Sequence, residues 1–302
     1  MKKDLLSVYD LDPADFKVMF ERAAKLKKML KAGESYQPLK GKTLGMIFDK
    51  SSTRTRISFE VGMFQLGGIA LFLSSRDTQI GWGESVQDTA KIMSRYLNGI
   101  MIRTYAQESV EEFAKHATIP VINGLTDLLH PCQILSDLFT ILEKKGTYEG
   151  LKIAYIGDGN NVANSWINAA ARLPIHLALA CPEGYEPNSF IFERALKVTP
   201  GGVVLNRNPA DAAAGADVIY TDVWASMGQE AEQAKRSDVF KPYQVDRKLL
   251  ACAKKDAMVM HCLPAHRGEE ITAEVLDGPQ SVVMDQAENR LHVQKAIMEI
   301  LL

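Results

Sequence analysis

Apolar positions along this chain recur in two alternating rhythms. Short continuous runs, TLGMIF at 43–48, IALFL at 69–73, GIMIRT at 99–104 and PVING at 120–124, have the length of buried strands. Between them, apolar residues return at helical spacing: Phe16, Met19, Phe20, Ala23, Leu26 and Leu30 after Asp12-Pro13, and Ile57, Phe59, Val61, Phe64 and Leu66 before Gly67-Gly68. Residues 86–97, capped by Ser85, and 108–116 continue the helical rhythm, and 133–145 predicts a long helix ending at Gly146. The second half repeats the alternation, with strands at 152–156, 176–180, 202–205, 217–223, 257–263 and 281–284. Its helices are predicted after the turn Gly157-Asp158-Gly159-Asn160-Asn161, at 187–197, 209–214 and 247–253, and from 286 to the end. Two stretches, 74–85 and 224–242, break the rhythm and read as loops.

Strands that alternate with helices predict parallel sheets whose ligands lie beyond the carboxyl ends of the strands. With 302 residues the chain exceeds one ordinary core. The predicted fold is therefore α/β, two doubly wound parallel-sheet domains joined by interdomain helices, with 133–145 as the connection. The expected boundaries are 1–135 for the first domain and 136–286 for the second.

Composition narrows the function. Apolar residues make up 46% and charged residues 24%, as in an ordinary globular protein, and the net charge of −2 offers no basic excess for nucleic acid. The four cysteines, Cys132, Cys181, Cys252 and Cys262, form no C-x-x-C pair, which speaks against a zinc site or disulfide framework and for a reducing, cytoplasmic setting. No signal peptide and no apolar run long enough to span a membrane is visible.

Polar residues of unusual kind collect at the predicted strand ends. Lys50-Ser51-Ser52-Thr53-Arg54-Thr55-Arg56 joins a strand to a helix. Serine and threonine there cap the first helical turn, the free amides and dipole favour an anion, and Arg54 adds a planar fork suited to phosphate. Arg103 ends a strand, His130 and Gln133 open the long helix, Asn161 and Asp222 follow strands in the second half, and His261-Cys262 ends another. Each alone has a structural explanation; their coincidence at strand ends is what points to chemistry. Gly157-x-Gly159 after a strand resembles a dinucleotide turn, but Val162 stands where its third glycine belongs.

KSSTRTR at 50–56, HPCQ at 130–133, DVWASMG at 222–228 and HCLPAHRG at 261–268 closely resemble the motifs of ornithine carbamoyltransferases, in order and over essentially the whole chain. The first two are shared across aspartate and ornithine transcarbamoylases; the last two point to ornithine. The resemblance implies carbamoyl transfer from carbamoyl phosphate to the δ-amine of L-ornithine, by a homotrimer, without metal or organic cofactor. It implies a carbamoyl-phosphate set of Ser52, Thr53, Arg54, Thr55, Gln79, Arg103, His130, Gln133, Cys262, Leu263 and Arg290, with Lys50 nearby. It implies ornithine contacts from Asn161, Asp222, Ser226 and Met227, and catalytic roles for Arg103, His130, Asp222 and Cys262. Arg290 implies that the final helix, 287–302, packs back on the first domain. Competing expectations are another acceptor (aspartate, N-acetylornithine or putrescine), a nicotinamide dehydrogenase, or a non-catalytic ligand-binding relative.

Overall fold

The computed structural model describes residues 3–74, 83–225 and 233–302. It divides into two compact units, Met1–Phe139 with Glu288–Leu302, and Thr140–Ala287. Each is an all-parallel sheet with helices, so the α/β expectation holds.

The first unit opens with α1 (Pro13–Lys31), whose Pro13 sits at the first helical position behind Asp12 and whose Phe16, Met19, Phe20, Ala23 and Leu26 are buried. There follow β1 (Thr43–Phe48), α2 (Thr53–Gln65), β2 (Ile69–Ser74), α3 (Val86–Tyr96), β3 (Gly99–Arg103), α4 (Gln107–His116) and β4 (Val121–Leu125). The sheet order is β2-β1-β3-β4, so the winding reverses between β1 and β3. Loops after those two strands part to opposite sides and leave a crevice at their carboxyl ends. Backbone pairing continues beyond the strands there: Asp49 N donates to Arg103 O at 2.9 Å, and Asp127 N to Tyr105 O at 2.8 Å. The β3–β4 register also shifts between Ile102 and Arg103, a bulge that re-aims the last side chain of β3.

Helix α5 (Pro131–Lys145) begins two residues before the predicted 133, because a proline at the first helical position needs no amide partner. The second unit contains β5 (Lys152–Ile156), α6 (Asn161–Ala170), β6 (His176–Ala180), α7 (Ser189–Val198), β7 (Gly202–Asn206), α8 (Pro209–Ala213) and β8 (Val218–Thr221). After them come α9 (Gln233–Phe240), α10 (Arg247–Leu250), β9 (Met258–His261), α11 (Ala273–Leu276) and α12 (Val283–Leu301). The order β7-β6-β5-β8-β9 places the reversal between β5 and β8. One side of its core is largely aliphatic, from Ala154 and Ile156 of β5 to Val259 of β9 and Val275 of α11, and Tyr155, Trp166 and Tyr220 form a buried aromatic cluster.

Two expectations are corrected. Residues 281–284 do not form a strand: Ser281 makes an isolated bridge to Val259, and the chain is helical from Val283. A run of three apolar residues fits either element, and Asp285 in the first turn favours the helix end dipole. The excursion 224–242 is not all loop, because it carries α9. Arg236 and Phe240, four apart on that helix, are both buried, and a buried arginine hides the apolar period. Among the described residues, no helix is long and apolar enough to cross a membrane.

Candidate active site

In the first unit the site residues assemble around one guanidinium. Ser52 is the N-cap of α2, its hydroxyl accepting from Thr55 N at 3.2 Å, and Thr53 and Arg54 are exposed at the helix start. Thr55 faces inward, and its Oγ1 accepts from Arg290 Nη2 at 2.9 Å. Arg290 Nη1 donates to Gln133 Oε1 at 2.8 Å, and Gln133 Nε2 donates to Asp137 Oδ1 at 2.8 Å. The Gln294 amide, one turn along α12, lies beside Arg290, and its hydrogen bonding is satisfied when the oxygen is assigned to that side, 3.1 Å from Nη2 and 3.2 Å from Nε. These bonds set the direction of the neutral groups. With a lone pair taken by Arg290, the Thr55 hydroxyl aims its own proton elsewhere, and Gln133 keeps one carbonyl lone pair free of Arg290 in a fixed orientation.

Arg103 is buried at the end of β3. His130 is buried too, and burial, reinforced by the charges of Arg290 and Arg103, holds its imidazole well below the ordinary 6.5. At neutral pH it is an uncharged ring with one N–H to donate. Lys50 is engaged, paired with Asp127 and lying 4.4 Å over the Tyr105 ring. Cys132 is a packing residue: its Sγ donates to Asn123 O at 3.4 Å, and burial pushes its thiol up to about 12.

The low His130 value predicts a stability effect with a definite sign. Below about 6.5 the unfolded chain takes up a proton that the folded chain refuses, so acidification toward the folded value destabilises. Asp158 acts oppositely, because burial raises it to about 6 from 3.8, so the folded chain holds a proton the unfolded one releases. Comparing variants isolates the first effect. Between pH 7 and 5, denaturant unfolding of His130→Gln is expected to lose less stability than the wild type, by up to about 1.4 kcal/mol per pH unit. Equal slopes would mean that His130 titrates normally.

In the second unit the groups meet at the reversal between β5 and β8. Asp222, buried just past β8, accepts from Cys262 Sγ at 2.7 Å and Val223 N at 2.8 Å on Oδ1, and from Asn160 Nδ2 at 2.7 Å on Oδ2. A hydrogen bond from the thiol to the carboxylate thus joins Cys262 to Asp222. Asn160, which precedes the expected ornithine contact Asn161, is the donor to the second carboxylate oxygen. It is also the N-cap of α6, its Oδ1 accepting from Val162 N and Ala163 N and from the Tyr155 hydroxyl at 3.1 Å. Asn161 is the half-buried first residue of α6. Gly159 serves close packing, since a Cβ there would stand 2.2 Å from the backbone of Glu186 and Pro187. That explains the glycine without a dinucleotide.

Cys262 and Leu263 sit on a braced turn. Leu263 is left-handed at φ 57°, a strained conformation for a branched side chain. Its N–H donates to His261 Nδ1 at 2.9 Å, so the ring proton is on Nε2, which donates to the buried Glu270 Oε1 at 3.1 Å. Sequence reasoning did not name this pair, nor the ion pair of Arg236 with Asp158 at 2.9 Å. Arg236 also donates to Trp224 O at 2.7 Å, so it fastens α9 to the turn after β5 through Asp158 and to the segment after β8 through Trp224. Gln79, Ser226 and Met227 lie outside the described residues.

Residues 3–143 match the carbamoyl-P binding domain, and residues 149–301 the Asp/Orn binding domain, of aspartate/ornithine carbamoyltransferases. The ornithine carbamoyltransferase of Syntrophus aciditrophicus is 74% identical across the full length of both chains, and that of Geobacter metallireducens 56%. The solved ornithine carbamoyltransferase of Pyrococcus furiosus superposes with a TM-score of 0.94 at 52% identity, covering 98% of this chain and 95% of that one. The anabolic enzyme of Campylobacter jejuni superposes at 0.93 with 40% identity, covering 100% and 99%. Matched in both domains and along its whole length, the chain belongs to the ornithine carbamoyltransferase family.

Proposed function

We propose that the chain transfers the carbamoyl group of carbamoyl phosphate to the δ-amine of L-ornithine, releasing L-citrulline and phosphate, as a cytoplasmic step of arginine biosynthesis. What carries this reading is complementary chemistry at two sheet reversals in one chain: guanidinium with neutral imidazole in one unit, and a buried carboxylate holding a thiol in the other. The first unit, with the returning helix α12, takes carbamoyl phosphate, and the second takes ornithine.

The phosphate dianion meets the amide end of α2 through Ser52, Thr53, Arg54 and Thr55, with Arg103 as a second cation. The carbamoyl oxygen accepts from Arg103, His130 and the Thr55 hydroxyl, and the carbamoyl amide donates to Gln133. Arg290 holds Thr55 and Gln133 in those directions. The neutral δ-amine attacks the carbamoyl carbon, and the carbonyl electrons move onto oxygen, where prepositioned donors stabilise the charge. They return as the carbon–oxygen bond to phosphate breaks, and the departing phosphate takes up the proton the amine sheds. Asp222 receives the α-ammonium of ornithine, with Asn161 at the amino-acid end, while Cys262 and Leu263 flank the reacting amine. Gln79 joins the phosphate set, and Ser226 and Met227 the ornithine set, by resemblance alone.

The test is citrulline and phosphate release with ornithine, run beside aspartate, N-acetylornithine and putrescine. Turnover with ornithine is expected to exceed that with each of the other three at least a hundredfold, rising with pH because an alkyl ammonium loses its proton only near about 10.4. A preference for a different amine would keep the phosphate half and overturn the acceptor half. No turnover with any of them would make the chain a non-catalytic relative.

A homotrimer is supported by an exposed apolar stripe on the first unit. Ile57, Val61 and Phe64 of α2 are exposed, as are Ile69, Leu71 and Phe72 of the edge strand β2. Unpaired edges and apolar surface of this kind are ordinarily covered. Light scattering is expected to give three chains per particle, and Phe64→Glu to shift that mass toward one. A monomeric wild type would end the proposal.

A further inference from the structure

We propose that His266, Glu269 and Glu270, on the turn after Cys262 and Leu263, form a binding site for a borderline divalent cation of the zinc class. His266 Nδ1 stands 3.7 Å from Glu269 Oε2 and 3.9 Å from Glu270 Oε2, and one ligand atom from each residue lies within 4.8 Å of the others. Nitrogen and oxygen ligands at about 2.0–2.2 Å on a tetrahedral centre stand roughly 3.4 Å apart. The imidazole needs to close on each carboxylate by only a few tenths of an ångström, and the two carboxylates start within 4.8 Å of each other.

The independent observation is the state of Glu270. Its side chain is fully buried, and Oε1 is committed, accepting from His261 Nε2 at 3.1 Å and from His266 N at 2.5 Å. Oε2, the oxygen that faces His266 and Glu269, accepts no hydrogen bond. A buried carboxylate oxygen left without a donor is costly, and a bound cation removes that cost. The two bonds to Oε1 hold the carboxylate in place, as outer partners orient metal ligands.

The turn is shaped for the other two ligands. Glu269 N donates to His266 O at 2.9 Å, closing a β-turn, and Gly268 takes φ 93°, open to glycine at little cost. Arg267 is drawn off to Asp277, with bonds of 2.8 and 3.0 Å, so its charge is committed there. His266 and Glu269 are half-exposed, which leaves an open side for entry and for water as the fourth ligand. One imidazole and two carboxylates suit zinc, cobalt or nickel better than magnesium or calcium, which take six or more oxygens or keep their water.

The neighbouring group Asp222, His261 and Cys262 belongs to the substrate site. It offers no imidazole lone pair, because His261 Nδ1 accepts from Leu263 N and Nε2 faces Glu270. The proposed ion instead bears on that site through Glu270 and His261, two hydrogen bonds from the Leu263 backbone.

The test uses the full chain as Cys262→Ser, which removes the competing thiol, with zinc binding followed by calorimetry. One zinc per chain is expected, undisturbed by excess magnesium, and cobalt is expected to bind without a thiolate charge-transfer band. Adding His266→Gln or Glu269→Gln is expected to weaken zinc binding at least tenfold, with the metal-free unfolding midpoint unchanged. Undiminished binding in those variants, or no stoichiometric zinc in Cys262→Ser, would overturn the site.

Discussion

Replacing Arg290 with methionine is expected to lower kcat/KM for carbamoyl phosphate about a thousandfold, the equivalent of about 4 kcal/mol of lost stabilisation. The size follows from what the guanidinium holds. Thr55 Oγ1, Gln133 Oε1 and the Gln294 amide oxygen all accept from it. Hydrogen bonds to a charged group are worth about 1.5–3 kcal/mol each, and methionine fills much of the volume while donating none. Thr55 would be free to rotate and Gln133 to turn its amide, so the groups proposed for the carbamoyl oxygen and amide would lose direction together. The buried acceptors left behind should also cost about 2–5 kcal/mol of stability, so the kinetics belong at a temperature where circular dichroism shows the variant folded. Arg290→Lys separates charge from geometry. Lysine restores a cation but cannot bond several acceptors in one plane, so a recovery of no more than about tenfold is expected. His130 supplies a second readout, since losing the nearby cation should raise its titration toward the ordinary value. A kcat/KM within tenfold of the wild type would show that Arg290 is structural only.

The sequence disclosed where chemistry would lie better than it disclosed how the groups are held. Strand lengths and helical spacings were enough to put Arg103, Asp222 and His261 at or just past strand ends, and each of the two parallel sheets does the rest by gathering its own strand ends on one edge. The cap at Ser52 was legible because a hydroxyl before a helical run has one obvious use. At α6 the same logic was available to either Asn160 or Asn161. The doublet does not say which residue precedes the helix; the cap is Asn160, and that same side chain donates to Asp222.

Long-range partners left no local trace. Arg290 and Gln133 are 157 residues apart, and Arg290 and Thr55 are 235 apart. Once α12 is seen as a helix, Gln294 falls one turn after Arg290, but nothing in the string says that the face they share is buried. Arg236 was concealed for a related reason. In a run of charged residues an arginine reads as solvated, and only the fold shows it under 10% exposed between Asp158 and the Trp224 carbonyl. Buried charge of this kind is chosen by its partner, and the partner sits in another element.

For Asp222 the expected result of Asn substitution is a rise in the KM for ornithine of at least a hundredfold, with carbamoyl phosphate affinity within about twofold of the wild type, because the lost contact is a desolvated charge pair worth about 2–5 kcal/mol. The carboxylate accepts on both oxygens, from Cys262 Sγ and Val223 N on one and from Asn160 Nδ2 on the other. An asparagine amide cannot match that pattern. If its nitrogen takes the Oδ2 position it meets the Asn160 amide donor, and if it takes the Oδ1 position it meets the Val223 N–H. The negative charge for the α-ammonium is gone in either orientation. Carbamoyl phosphate should be spared, since Thr55, Arg103, His130, Gln133 and Arg290 all belong to the first unit. Putrescine makes the test specific, because it carries the reacting amine and no α-ammonium. If Asp222 recognises that ammonium, the variant should lose turnover of ornithine far more than turnover of putrescine, and the preference of the wild type should shrink accordingly. Equal losses for the two amines would mean that Asp222 acts through Cys262 and the turn it steadies, and an unchanged KM for ornithine would remove it from the acceptor site.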